Sequence, residues 1–363
     1  MKVLFFIPSL EYGGAELTVI NLANHLTDLG HVVCITTLGK TQRTVGDLNK
    51  NISVFEINDD STSMNLFGKT INFFRRLVHL RAYLKRLAPD IAISFLTEVN
   101  TILIAASLGT NTNIIISERT HPKHHKISPF YNVLRLLLYG RATKLVVQTD
   151  DILRECTRFI KVDKISVIPN FLREEFFFPS EVLINRKPKK IIGYVGRLSS
   201  EKRLGDLIRS FSIVLRKFPS WKLHLIGDGS EKRGLKDLVK DLDIIENVHF
   251  YPAQKNVREL LLEMSIFVLP SQYEGFSNVL LEAMASQVSV ISSINGGAYL
   301  IEDGKDGLTY QTGDVNELAE KICWLIDNPK EASNQIENAT NKVSRYSKSK
   351  LLPFWVNLIE SKT

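Results

Sequence analysis

Residues 266–285 read Ile266-Phe267-Val268-Leu269, then Pro270-Ser271-Gln272-Tyr273-Glu274-Gly275-Phe276-Ser277, then Asn278-Val279-Leu280-Leu281-Glu282-Ala283-Met284-Ala285. The four apolar residues predict a buried strand, the polar stretch a loop, and the last eight a helix with Ser277 as its natural N-cap. Strand, loop and helix in that order form one unit of a parallel sheet with crossover helices.

The unit recurs in both directions along the chain. Toward the N-terminus, strands are predicted at Val3–Ile7, Val32–Thr36, Ser53–Ile57, Ile91–Phe95, Asn113–Ile116, Lys144–Val147 and Ile165–Ile168. Helical patterns at Ala15–Leu29, Leu66–Leu87, Asn100–Leu108, Pro129–Tyr139 and Asp150–Cys156 alternate with most of them. The rhythm lapses after Asn170 into Phe176-Phe177-Phe178-Pro179 and a polar run from Asn185 to Lys190, which reads as a linker. It resumes with strands Ile191–Val195, Trp221–Ile226, Val248–Tyr251, Val288–Ile291 and Leu308–Tyr310 around the quoted one. Two helices, Glu331–Ser344 and Lys348–Ile359, close the chain. The fold class expected is α/β: two Rossmann-like, doubly wound domains at 1–180 and 188–345, facing a cleft. The segment 346–363 is expected to return to the first domain.

A chain of 363 residues is long enough for two such cores, and 44% hydrophobic with 23% charged residues excludes disorder. The net charge of +7 and pI of about 9.1 point to an anionic partner. Cys34, Cys156 and Cys323 are scattered and odd in number, which argues against a disulfide framework or zinc site and for a reducing cytosol. The apolar run Val3–Ile7 is too short for a signal peptide, and no stretch is long enough to span a membrane.

Three strand exits carry chemistry. The first, Ser9-Leu10-Glu11-Tyr12-Gly13-Gly14-Ala15-Glu16, has paired glycines that would let a ligand approach backbone and a helix N-terminus. It reads equally as a tight turn, and it is not G-x-G-x-x-G, which lowers the case for a nicotinamide or flavin. The second, Gly196-Arg197-Leu198-Ser199-Ser200-Glu201-Lys202-Arg203, sets two cations five residues apart, suited to a diphosphate or simply to solvent. The third is the quoted loop, where Glu274 suits the hydroxyls of a sugar ring and Glu282 a ribose. Spacing alone does not separate those two from ordinary surface acids.

Taken together, Gly13-Gly14-Ala15-Glu16, Arg197 with Lys202, and Glu274 with Glu282 resemble the family-4 glycosyltransferases, retaining enzymes of GT-B fold. Within that family the chain is similar to bacterial hexosamine transferases that extend lipid-linked oligosaccharides for O-antigen and capsule. The resemblance implies that Arg197 and Lys202 neutralise the donor diphosphate and that Glu274 holds the transferred sugar. It implies a phosphate on the backbone of Gly275, Phe276, Ser277 and Asn278, ribose on Glu282, close donor approach at Gly14, and Ala253-Gln254 near a uracil. Neither metal nor other cofactor is implied; the partners are a UDP-sugar donor and a lipid-linked saccharide acceptor.

Two departures stand out. Arg119 occupies the place where many members have a histidine beside the reacting sugar, with His121 two residues on and His124 and His125 following. Asn295-Gly296-Gly297-Ala298-Tyr299 replaces a loop that often carries an acid. Glu16, Arg119 and His121 are candidate acceptor or sugar contacts; His121 also reads as a surface-loop residue.

Lys69, Arg75, Arg76, Arg81, Lys85 and Arg86 occur without an acid, interleaved with Phe73, Phe74, Leu77, Leu80 and Leu84 at helical spacing. Such a helix suits the anionic inner face of a plasma membrane, and its apolar stripe equally suits core packing. Asp59-Asp60 reads as a solvated loop. An oxidoreductase, a nucleotide-sugar epimerase of the same architecture, and a non-catalytic sugar-nucleotide binder are the rival readings. Nucleic acid is not expected as a partner, because the basic residues come without a reading motif.

Overall fold

The computed structural model describes residues 1–10, 14–39, 48–57, 66–124, 127–178, 182–183, 186–254 and 256–361. Gly13, Asp59, Asp60 and His125 lie outside the described residues, as does the side chain of Lys69. The chain divides into two compact units, Met1–Asn170 with Ser349–Thr363, and Phe171–Lys348.

The first unit runs β1 (Lys2–Ile7), α1 (Gly14–Asp28), β2 (Val32–Thr37), β3 (Ser53–Glu56), α2 (Leu66–Leu87), β4 (Ile91–Phe95), α3 (Thr97–Ser107), β5 (Asn113–Ser117), α4 (Pro129–Leu138), β6 (Lys144–Val147), α5 (Asp150–Cys156) and β7 (Ile165–Val167). Its strands form one parallel sheet in the order β3-β2-β1-β4-β5-β6-β7. The order reverses direction between β1 and β4, the switch point beyond whose strand ends such sheets bind ligands.

The second unit runs β8 (Ile191–Val195), α6 (Leu204–Lys217), β9 (Lys222–Ile226), α7 (Lys232–Asp241), β10 (Val248–Tyr251), α8 (Arg258–Glu263), β11 (Ile266–Leu269), α9 (Asn278–Ala285), β12 (Ser289–Ser293), β13 (Leu308–Tyr310), α10 (Val315–Asp327) and α11 (Pro329–Val343). Its parallel sheet has the order β10-β9-β8-β11-β12-β13, with the switch point between β8 and β11. Leu172 and Phe176, ahead of β8, are buried in its core.

Continuous apolar runs form these strands because both faces of each sheet are covered: every residue of β4 and of β11 is buried. The last helix, α12 (Lys348–Glu360), packs in the first unit. There Trp355 is fully buried and its ring stacks on Phe95 at 5.9 Å. The largest such difference at a helix start is in α3, which begins at Thr97 rather than Asn100, directly after Leu96 with its φ of 79°. For a leucine that backbone conformation is strained.

Candidate functional site

At the switch point of the second unit the strand exits brace one another through backbone. The Leu198 amide donates to the Asp228 carbonyl (2.9 Å), and the Gln272 amide donates to the Glu201 carbonyl (2.7 Å). Glycine makes the close approach possible: a Cβ on Gly227, at φ +147°, would stand 1.9 Å from the Gly196 carbonyl oxygen. Between these loops lies a cavity of about 360 Å³, lined in part by Gly196, Arg197, Gly227, Asp228, Ala253 and Gln254. Arg197 and Gln254 are exposed on its wall. The Asp228 carboxylate fixes the Gln254 side by accepting from the Ala253 amide at 3.0 Å.

Lys202 and Glu274, seventy-two residues apart, meet: Lys202 Nζ donates to Glu274 Oε1 at 2.6 Å. Ser271 Oγ donates to the same oxygen at 2.7 Å, so Oε1 is held from two sides. Both charged side chains are mostly buried, at 17% and 14% exposure, and their pair is correspondingly less screened than a surface one. Next along the loop, Gly275 and Phe276 lead into α9, where the Ser277 hydroxyl accepts from the Leu280 amide as N-cap. The Ser277 amide donates to the Tyr299 hydroxyl, and the Tyr299 ring lies 5.5 Å from that of Phe276. Asn278 opens the helix. The loop Asn295–Tyr299 thereby supplies a phenol to the start of α9, in place of a carboxylate.

Glu282 faces an unforeseen partner. It is almost fully buried, and Arg173 Nε donates to its Oε1 at 2.8 Å. Burial pushes the Glu282 carboxyl up, and Arg173 works against that. Arg173 also bonds Glu175 at 2.7 Å and lies over the Phe176 ring at 4.8 Å.

In the first unit α1 opens at Gly14, with Glu16 in its first turn. The Arg119 guanidinium packs against two aromatic rings, 4.8 Å from Phe95 and 5.8 Å from Trp355, and Nη1 donates to Asn170 Oδ1. With the Gln148 amide oxygen turned toward it, Arg119 donates to that oxygen from Nη1 and Nε at 2.9 and 3.1 Å. Burial works against the Arg119 charge and Glu16 works for it, so two of the candidate contacts are electrostatically coupled. His121 is buried rather than a surface-loop residue, its Nε2 2.8 Å from Asp151 Oδ2 and its ring against His124.

Sequence reading passed over Glu118, although it stands beside Arg119. It is fully buried, and Thr97 Oγ1 and Tyr139 Oη donate to its two oxygens at 2.7 Å each. Burial raises its pKa. The Tyr139 oxygen also accepts from Asn100, whose other contacts reach Ser94 and the Ser117 carbonyl. Beside this network, beyond β1, β4 and β5, a cavity of about 310 Å³ is lined in part by Pro8, Leu96, Glu98, Thr120, Ser128 and Tyr131.

Among the described residues no group of three or more His, Cys, Asp or Glu is placed to hold a metal ion. No described helix is long and apolar enough to cross a membrane.

Comparison with known proteins assigns this architecture. Residues 12–176 match the family model described as Glycosyltransferase Family 4, and residues 178–342 match Glycosyl transferases group 1. A protein of Campylobacter jejuni named GalNAc-alpha-(1->4)-GalNAc-alpha-(1->3)-diNAcBac-PP-undecaprenol alpha-1,4-N-acetyl-D-galactosaminyltransferase is 29% identical over 99% of this chain and 98% of its own. A second from the same organism, N-acetylgalactosamine-N,N'-diacetylbacillosaminyl-diphospho-undecaprenol 4-alpha-N-acetylgalactosaminyltransferase, is 26% identical over 96% of this chain and 97% of its own. The crystal structure of Anabaena HepE in complex with UDP superposes with a TM-score of 0.80 over 99% of this chain and all of that one, at 19% identity. Together the two models span residues 12–342, and the chain belongs to the glycosyltransferases they describe, with the GT-B fold that its structural neighbours share.

Proposed function

We propose that the protein is a retaining transferase moving a hexose or N-acetylhexosamine from a UDP-sugar to an undecaprenyl-diphosphate-linked saccharide in bacterial surface-glycan synthesis. The observation that carries the reading is the Lys202–Glu274 contact of 2.6 Å, which joins a diphosphate-type cation to a sugar-type carboxylate on adjacent strand exits. The Campylobacter relatives are named for transfer to undecaprenol-linked glycans, and HepE was crystallised with UDP.

Leaving of a nucleoside diphosphate builds negative charge on its terminal phosphate and oxocarbenium character on the sugar. Arg197 and Lys202, with the amides at the start of α9, are the groups that stabilise the first. Lys202 exchanges Glu274 for a phosphate oxygen, and the carboxylate so released accepts from hydroxyls of the transferred sugar. The acceptor hydroxyl then attacks the sugar's anomeric carbon from the face the diphosphate leaves, the sugar–phosphate bond breaks, and the hydroxyl proton passes to the departing phosphate oxygen. Glu282, oriented by Arg173, holds ribose, and Gln254 lies by the uracil. The two cations meet the diphosphate charge, so no metal is called for. The protein works peripherally at the cytoplasmic face of the membrane, where its positive charge meets lipid rather than nucleic acid.

The test is a screen of UDP-sugars for transfer to a polyprenyl-diphosphate saccharide, followed by variants. Lys202→Ala is expected to lower turnover about 10²–10³-fold, the roughly 3–4 kcal/mol typical of one preorganised donor to a developing anion. Glu274→Gln should depress turnover while calorimetry finds UDP affinity unchanged, and Arg197→Ala should weaken UDP. Wild-type turnover in both Lys202→Ala and Glu274→Gln would remove the site.

A further inference from the structure

Two groups that would meet a donor diphosphate are already occupied by oxygens of the protein itself. Lys202 Nζ donates to Glu274 Oε1 at 2.6 Å, and the Ser277 amide, at the start of α9, donates to the Tyr299 hydroxyl. The first contact joins two charges and the second joins none. Ser277 is buried, at 4% exposure, and a buried N–H without an acceptor is costly, so the free protein has to find that amide an oxygen. An amide at a helix start carries partial positive charge and bonds a phosphate oxygen more strongly than a neutral one. Tyr299 offers the neutral kind. Burial, with the Glu274 carboxylate nearby, pushes its pKa well above the ordinary value, so its oxygen accepts as an uncharged phenol.

The loop 295–299 is packed so as to hold the phenol there. A Cβ on Gly297 would stand 2.4 Å from Leu280 Cδ2, and one on Gly296 would stand 3.1 Å from the Ser271 carbonyl oxygen. Glycine at both positions lets the loop lie directly on α9 and on the strand exit that carries Glu274. Ser293 Oγ donates to that Ser271 carbonyl, and Ser271 Oγ donates to Glu274. The Tyr299 ring lies against Phe276, and Phe276 lies 6.0 Å from the ring of Tyr346. Packing holds the ring, and the Ser277 amide holds the hydroxyl.

We infer that Tyr299 is a positioning residue of the donor site that governs release of the diphosphate. Its phenol oxygen satisfies the Ser277 amide while the site is free, cedes that amide to a phosphate oxygen when the donor binds, and takes it back as UDP leaves. One N–H makes one well-aligned hydrogen bond, so the two oxygens exclude each other there. The phenol stabilises the free site, and UDP is held that much less tightly. The inference rests on the UDP-sugar donor proposed above.

Calorimetry of UDP binding to the wild type, Tyr299→Phe and Tyr299→Leu tests it. Both variants remove the oxygen, and Phe keeps a ring on Phe276. In the free variants the amide has lost its acceptor and UDP restores one, so both should bind UDP about three- to tenfold more tightly than the wild type. Millimolar uridine, which has no phosphate, should have the same affinity for all three, read by its competition with UDP. UDP should also raise the melting temperature of each variant more than that of the wild type, a gain that a residue serving only the fold would not give. Unchanged or weakened UDP affinity in a variant that melts cooperatively overturns the inference, and weakening would make the phenol a donor to the diphosphate instead. An equal gain for uridine overturns it too, since the effect would then lie at the nucleoside. Absence of UDP binding in the wild type removes the UDP reading and the inference with it, whereas binding without a gain in the variants removes the inference alone.

Discussion

In the second unit, the loops at the switch point lean on each other through main chain: Leu198 on Asp228, Gln272 on Glu201, Gly227 against Gly196. In the first unit main-chain bonds also join the strand exits, the Leu96 amide donating to the Ser117 carbonyl and the Glu118 amide to that of Val146, both at 3.0 Å, but buried side chains add a second brace. Glu118 is gripped by Thr97 and Tyr139, and Arg119 packs against Phe95 and Trp355. The second unit is also one continuous stretch of chain, whereas the first recruits α12 from the far end. A main-chain brace leaves glycines at fixed places near a strand end, which sequence displays. A side-chain brace joins residues with no regular spacing, and it makes the first unit depend on the last helix.

Trp355→Ala probes that dependence most severely. The ring is fully buried against Phe95 and under the Arg119 guanidinium, so truncation leaves a cavity and strips one wall from a buried charge. A loss of about 4 kcal/mol is expected, within the range for buried tryptophan truncations. Urea unfolding followed by hydrogen exchange should place that loss in residues of the first sheet and leave β8–β13 protected as before. Uniform loss across both sheets, or a loss below about 1 kcal/mol, would dissolve the contrast between the units.

Gly227→Ala addresses the other brace. The new methyl would meet the Gly196 carbonyl oxygen at 1.9 Å in a backbone conformation that L-residues avoid. Relief requires the β8 and β9 exits to separate, at a cost of about 2–3 kcal/mol for strain and overpacking. Because those exits line the 360 Å³ cavity with Arg197, UDP affinity should fall together with stability. An intact affinity with lowered stability would mean that the brace supports the fold and not the cavity.

This contrast also explains what the sequence disclosed. Strands such as Ile91–Phe95 and Ile266–Leu269 were legible to the residue, since a strand covered on both faces is apolar throughout and bounded by polar loops. Arg197, Lys202 and Glu274 could be placed at strand exits, but periodicity says nothing of the contact that joins residues 202 and 274. Arg173 escaped notice for the same reason, being 109 residues from Glu282. On α2, helical spacing found an apolar stripe without separating Phe73, which is buried, from Phe74, which is not. Glu118 stood in plain view beside Arg119, yet only its burial among Thr97, Tyr139 and Thr120 distinguishes it from a solvated loop acid.

That burial supplies the smallest and most specific test. Desolvation raises the Glu118 pKa above its unfolded value of about 4.3. Between those two values the folded protein binds more protons than the unfolded chain, so the contribution of Glu118 to stability falls as pH rises through this window. The slope attributable to one carboxyl is at most about 1.4 kcal/mol per pH unit. Glu118→Gln keeps the shape and a hydrogen-bonding amide but cannot titrate, so its stability measured against the wild type should improve as pH climbs above about 4.3. Thr97 and Tyr139 both donate to the carboxylate, and the amide nitrogen can serve only a partner that accepts, so a fixed cost of about 1 kcal/mol should accompany the change at every pH. Parallel curves for the two proteins would show that Glu118 titrates as it does in the unfolded chain.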